Sequence, residues 1–136
     1  MFRKVFISHA GEDTWIASQI ADRCEKLGAT TFLDEKQIAI GADFEADILA
    51  ALKTSQEFLL LATPWSLERE YVWLELGGAW RGELYIVALL LGVTATKIQS
   101  KTRVPSILKK RNLIALNSID RYFAELAERI KNSTSI

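Results

Sequence analysis

The chain has one cysteine, one histidine, no excess of charge and no long apolar run, and each shortage removes a class of function. The lone Cys24 has no partner for an intramolecular disulfide, which fits a reducing cytoplasm. One cysteine and one histidine give a metal site or a Cys-His catalytic pair little to build from. Lys plus Arg balance Asp plus Glu at 17 each, so the electrostatic footprint of a nucleic-acid binder is missing and no direct nucleic-acid contact is expected. The longest apolar run, Ile86 to Gly92 (IVALLLG), falls well below the roughly 20 residues of a membrane-spanning helix. The opening MFRKVFIS turns polar too soon for a signal peptide. These shortages predict a soluble cytoplasmic protein with no metal and no membrane contact.

Glycine-rich phosphate loops are also wanting. The stretch SHAGEDTW after the first apolar run holds one glycine, too few for a GxGxxG dinucleotide turn or a P-loop. A phosphoacceptor receiver domain needs an acidic cluster after its first strand, an Asp after its third and a Lys after its fifth. Here those places hold SHAGED, Ala62-Thr63 and Leu116-Asn117.

What is present is a chain of 136 residues, 49% hydrophobic, long enough for one domain with a real core. Residues 1–132 read as that single domain and 133–136 as a fraying tail; no repeat or low-complexity segment is seen. Short apolar runs at Val5–Ile7, Thr30–Leu33, Phe58–Ala62, Leu84–Leu91 and Leu113–Leu116 read as strands. Between them lie segments of helical period. From Asp13, Ile16, Ile20, Cys24 and Leu27 share one face and Gly28 stops the helix. Asp43 N-caps a second helix bearing Phe44, Ile48, Ala51 and Leu52. Thr63-Pro64 opens a third. Gly92 to Ser106 reads as a polar connection, and Ile119, Phe123, Leu126 and Ile130 mark the last helix.

Five strands alternating with helices predict an α/β fold. Its form is a flavodoxin-like three-layer sandwich whose parallel sheet has the order 2-1-3-4-5 and helices on both faces. Ligands in such sheets gather outside the carboxyl ends of the strands where the order reverses, here between the first and third. The residues at that point are Ser8 to Gly11, Asp34 to Ala42, and Thr63 onward.

On the third helix, EYVWLELGGAW sets a carboxylate among apolar residues. Val72, Leu76, Ala79 and Trp80 form the predicted core stripe, with Glu75 on its flank and Tyr71 one turn earlier on the same face. Gly77 and Gly78 weaken a helix by about 1 kcal/mol each relative to Ala, which suggests a close approach there. Glu75 is either a site carboxylate or a boundary glutamate paired with Arg69 or Arg81. Ser8 and His9 contact a ligand or satisfy a turn, and Asp34 contacts a sugar hydroxyl or caps its loop. Phe6 is expected in the core with an edge toward the pocket, Cys24 in the core. Trp15, Trp65 and Trp73 are expected to be partly exposed, suited to self-association.

FISHAGED (6–13), FLDEKQIAIGADFEADILAAL (32–52) and TPWSLEREYVWLELGGAW (63–80) together resemble a bacterial-type Toll/interleukin-1 receptor (TIR) domain, from Lys4 to about Ile130. The resemblance implies one of two activities. One is cleavage of the nicotinamide-ribose bond of NAD+, a substrate here and not a cofactor, giving nicotinamide and ADP-ribose or a cyclic isomer. The other is non-catalytic association as an adaptor. Family enzymes use a glutamate on the third helix in a WxxxE pattern, which makes Glu75 the catalytic candidate and Tyr71 the replacement for the Trp. Phe6, Ser8, His9, Asp34 and Tyr71 are then the substrate-binding candidates. Asp34 to Asp43 resembles the BB loop through which TIR domains self-associate. A fused or separate sensor and a part in antiphage immunity are further implications of the family.

Overall fold

The computed structural model describes residues 3–33 and 44–134. Asp34, the loop Asp34 to Asp43 and the proposed N-cap at Asp43 lie outside the described residues. Five strands, β1 (Lys4–Ser8), β2 (Thr30–Leu33), β3 (Glu57–Ala62), β4 (Tyr85–Leu90) and β5 (Asn112–Ala115), form one sheet. Every pairing is parallel and the order is β2-β1-β3-β4-β5, as the sequence predicts. Among the described residues the helices are α1 (Thr14–Lys26), α2 (Phe44–Thr54), α3 (Glu70–Arg81), α4 (Ala95–Ser100), α5 (Ser106–Lys109) and α6 (Ile119–Thr134). None is long and apolar enough to cross a membrane.

Alternation along the strands divides the core into two layers. Phe6, Phe58, Leu60 and Ala62 pack against α2, α3 and α4 through Leu52, Val72, Leu76 and Ile98. Val5, Ile7, Leu59 and Leu61 pack against α1 and α6 through Ile20, Cys24, Tyr122 and Leu126. The same alternation turns Ser8, two residues after Phe6, toward α3. Gly28 ends α1 at φ +106°, a conformation that suits a residue without Cβ.

Three expectations are corrected. The helix after β3 does not open at Thr63-Pro64. Thr63 N–H donates to Ser66 Oγ at 2.9 Å, Ser66 N–H to Thr63 Oγ1 at 3.1 Å, and Ser66 Oγ to Leu61 O at 2.8 Å. These local bonds compete with helix, giving a 3₁₀ turn at Ser66–Glu68 and an extended Arg69 before α3 begins at Glu70. The stretch from Gly92 to Ser106 is not all connection: α4 lies within it, N-capped by Thr94 Oγ1 accepting from Lys97 N–H at 3.1 Å. Six residues are too few to declare a helical period. Trp80, assigned to the core, is 53% exposed.

The helix geometry explains Trp80. Val72, Glu75, Leu76 and Ala79 are the buried residues of α3. At about 100° per residue their centre lies near Val72 and Ala79, with Glu75 about 50° to one side and Trp80 about 90° to the other. The carboxylate is inside the buried arc and the indole beyond its edge, the reverse of their hydrophobicity.

Candidate functional site

At the carboxyl ends of β1 and β3 the chain brings together Ser8, His9, Tyr71 and Glu75. Glu75 is 2% exposed. Ser8 Oγ donates to Glu75 Oε1 at 2.6 Å within the buried interior. One turn earlier on α3, Tyr71 Oη donates to the His9 carbonyl at 3.0 Å. Two hydrogen bonds from successive turns therefore fasten the end of β1 to the inner face of α3, one running from strand to helix and the other from helix to strand. The His9 ring is buried with Nδ1 at 2.8 Å from the Ala10 carbonyl.

A cavity of about 430 Å³ opens between α2 and α3, lined by Ile48, Leu49, Leu52, Tyr71, Leu74, Glu75 and Gly78 with Glu45 at its edge. Its wall is largely apolar, Glu75 supplies a carboxylate from an inner turn, and Leu74 at the lip is 76% exposed. A volume of this order is typical of small-molecule sites. Gly78 explains part of the double glycine: a Cβ there would meet Leu52 Cδ1 at 2.9 Å, so the glycine lets α2 and α3 close on each other. Gly77 faces open space, with nothing within 4 Å of such a Cβ.

The remaining candidates fall as follows. Phe6 is wholly buried, stacked between Phe32 and Phe58 at centroid distances of 5.0 and 5.6 Å, and forms the core beneath the site. Arg69, one of the two arginines offered with Arg81 as partners in the boundary-charge reading of Glu75, binds Glu12. Hydrogen bonding by the backbone and then by Arg69 holds the Glu12 carboxyl below its ordinary range. Cys24 is fully buried as expected; Trp15 and Trp65 are exposed and Trp73 is half-buried against the core.

Two buried polar clusters were not foreseen. Asp13 accepts from Thr63 Oγ1 at 2.7 Å, which ties the turn after β1 to the turn after β3 at the rim of the site. At the opposite end of the sheet Glu57 opens β3, 1% exposed, and accepts from Arg3 Nε at 2.7 Å, Tyr122 Oη at 2.9 Å and Arg129. A carboxylate heads an otherwise apolar strand there, but nothing local in the sequence names its partners. Among the described residues no group of three or more acidic, histidine or cysteine side chains is placed to hold a metal.

The parallel sheet order and the helices on both faces are those of a TIR-like flavodoxin-type α/β domain. A model of the TIR domain family matches residues 5–130, and the chain belongs to that family. Among solved structures, the TIR domain of the Toll-related receptor TRR-2 from Hydra magnipapillata has a TM-score of 0.71 at 19% identity, over 92% of this chain and 94% of that one, a likeness of fold. A metazoan TIR-STING receptor from C. gigas, solved in complex with 2',3'-cGAMP, has a TM-score of 0.72 at 26% identity. That match covers 93% of this chain and 38% of the receptor chain. No curated protein matches significantly.

Proposed function

We propose that this TIR domain, of the bacterial type its three segments resemble, cleaves the nicotinamide-ribose bond of NAD+, releasing nicotinamide and ADP-ribose or a cyclic isomer. The observation that carries the reading is Glu75, a carboxylate held by a hydroxyl donor on the wall of a largely apolar cavity. Loss of nicotinamide builds positive charge on the ribose, and a fixed carboxylate in a low-dielectric wall stabilises that charge as it develops. The leaving group carries positive charge and departs neutral, so a general acid is not required. Tyr71, anchored through its hydroxyl, offers its ring to the cavity as a stacking surface. Self-association through Asp34 to Asp43, triggered by a sensor, would activate the domain in immune signalling.

The exposed Leu49 and Leu74 at the cavity lip favour a second reading, a non-catalytic protein-interaction module. One experiment separates the two. The protein at high concentration, or clustered on a surface, is incubated with NAD+ and nicotinamide is measured. Catalysis requires release by the wild type and loss of release in Glu75→Ala; no release from the assembled protein, or equal release from the variant, leaves the interaction module.

A further inference from the structure

Overall neutrality conceals a local segregation of charge. Between Glu83 and Asp120 the chain has no carboxylate, while Lys97, Lys101, Arg103, Lys109, Lys110 and Arg111 all fall there. The rest of the neutral chain holds the compensating acidic excess. Three of these cations converge on two adjoining clefts at the carboxyl ends of β3 and β4, beside the start of α3. One cleft, of about 390 Å³, is lined by Glu68, Ser100, Lys101, Thr102 and Arg103. The other, of about 370 Å³, adds Lys97 and shares Glu68, Ser100 and Lys101 with the first. Gly92 brings the walls together. Its φ is +75°, which strains a side chain, and a Cβ there would press on the Pro64 ring at 3.3 Å from Cδ, so glycine favours the close approach of the end of β4 to the turn after β3. Both clefts lie against Glu68, whereas the Glu75 cavity lies against α2; they are separate places on the molecule.

We propose that these joined clefts bind a small anion carrying a di- or triphosphate group, held by Lys97, Lys101 and Arg103 with the Ser100 and Thr102 hydroxyls beside them. Lys97 and Lys101 are four residues apart, a spacing at which like charges repel, and an anion between them converts repulsion into attraction. Among the described residues Arg103 pairs with Glu68 at 3.7 Å, with both side chains largely exposed. An exposed pair of that kind contributes little, so the guanidinium is available to a phosphate, for which its planar fork is suited. Glu68 is the one carboxylate in both clefts and opposes binding. Lys109, Lys110 and Arg111 line neither cleft and add only to the positive field.

The test is a titration of isotope-labelled protein with sodium pyrophosphate at constant ionic strength, followed by amide chemical shifts. Saturable shifts are expected at Lys97, Ser100, Lys101 and Thr102. Lys101→Ala and Arg103→Ala should each weaken binding about tenfold, Glu68→Gln should strengthen it several-fold, and Lys110→Ala should change it less than twofold. ATP moving the same amides while adenosine does not assigns the recognition to the phosphates. If pyrophosphate binds and ATP does not, the ligand is inorganic and the site stands. Absence of saturable shifts, shifts reproduced by sodium chloride, equal weakening by Lys110→Ala, or shifts centred on Tyr71 and Gly78 would each overturn the proposal.

Discussion

Ser8 at the end of β1 and Glu75 on the second turn of α3 are 67 residues apart in sequence and share a buried hydrogen bond of 2.6 Å, hydroxyl to carboxylate. A hydrogen bond to a charged acceptor in the interior contributes more than one at the surface. Ser8→Ala removes the donor and leaves the carboxylate less well satisfied, an expected loss of about 1–3 kcal/mol in urea unfolding. Glu75→Gln keeps the shape and a carbonyl acceptor for Ser8, so its loss should be smaller while nicotinamide release is abolished. A fold defect in Glu75→Gln as large as in Ser8→Ala would make the glutamate structural first.

The paired glycines of α3 separate by what surrounds them. Gly77→Ala meets nothing within 4 Å and gains helix propensity, so it should stabilise by about 0.5–1 kcal/mol. Gly78→Ala gains the same propensity but sets a methyl 2.9 Å from Leu52 Cδ1, whose residue is buried against α3. Leu52 must rotate, the α2–α3 cavity narrows, and the net effect should be neutral or destabilising. Thermal unfolding of the two variants checks the ordering; Gly78→Ala more stable than Gly77→Ala would contradict it.

The sheet was legible in the sequence because its strands are short apolar runs bounded by polar turns, and periodicity and run length report that directly. Glu75 was legible as a candidate through its place on α3, although hydrophobicity set Trp80 inward and Glu75 on the flank. Helix angle decides which side chain is buried, and side-chain identity does not report it. The start of α3 was obscured by hydroxyls: Thr63 and Ser66 bond to each other's backbone, an alternative to helix that a proline-at-N1 pattern does not register. Glu57 was invisible for a different reason. Its partners Arg3, Tyr122 and Arg129 are 54, 65 and 72 residues away, and no local pattern encodes a pairing across the fold.

Among the described residues Glu57 should be the most sensitive charged position. Its carboxylate receives two guanidinium groups and a phenol at the amino end of β3, and Arg129 also stacks over the Tyr85 ring at 4.2 Å. Glu57→Ala leaves nearly buried cations without their anion, a change that costs about 3–5 kcal/mol in buried pairs. The expected result is a fall of roughly 6–20 °C in Tm for a domain of this size. Because the cluster is at the far end of the sheet from Glu75, variant protein that remains folded should show the proposed nicotinamide release at the wild-type rate per folded molecule. Thermal melts followed by activity at a temperature below both transitions test the two halves separately.

Cys24 gives the alkaline side of the stability profile. Burial, and then the nearby Glu57 and Glu25 carboxylates, push its thiol from 9.0 up to about 12. The native state therefore keeps a proton that the unfolded chain releases near pH 9. Stability from this group is fully present below pH 9 and is lost as pH rises from there to about 12, at about 1.4 kcal/mol per pH unit while only the unfolded thiol is ionised. Tyr122, also buried beside Glu57, has its phenol raised well above the ordinary value and steepens the same limb. Urea unfolding between pH 8 and 11 should show stability falling with pH, with the slope in Cys24→Ala shallower by about one proton. The native thiol should likewise resist a disulfide reagent at pH 8 and react after denaturation. Rapid labelling of the folded protein, or an unchanged slope in Cys24→Ala, would show that the thiol ionises with little hindrance in the native core.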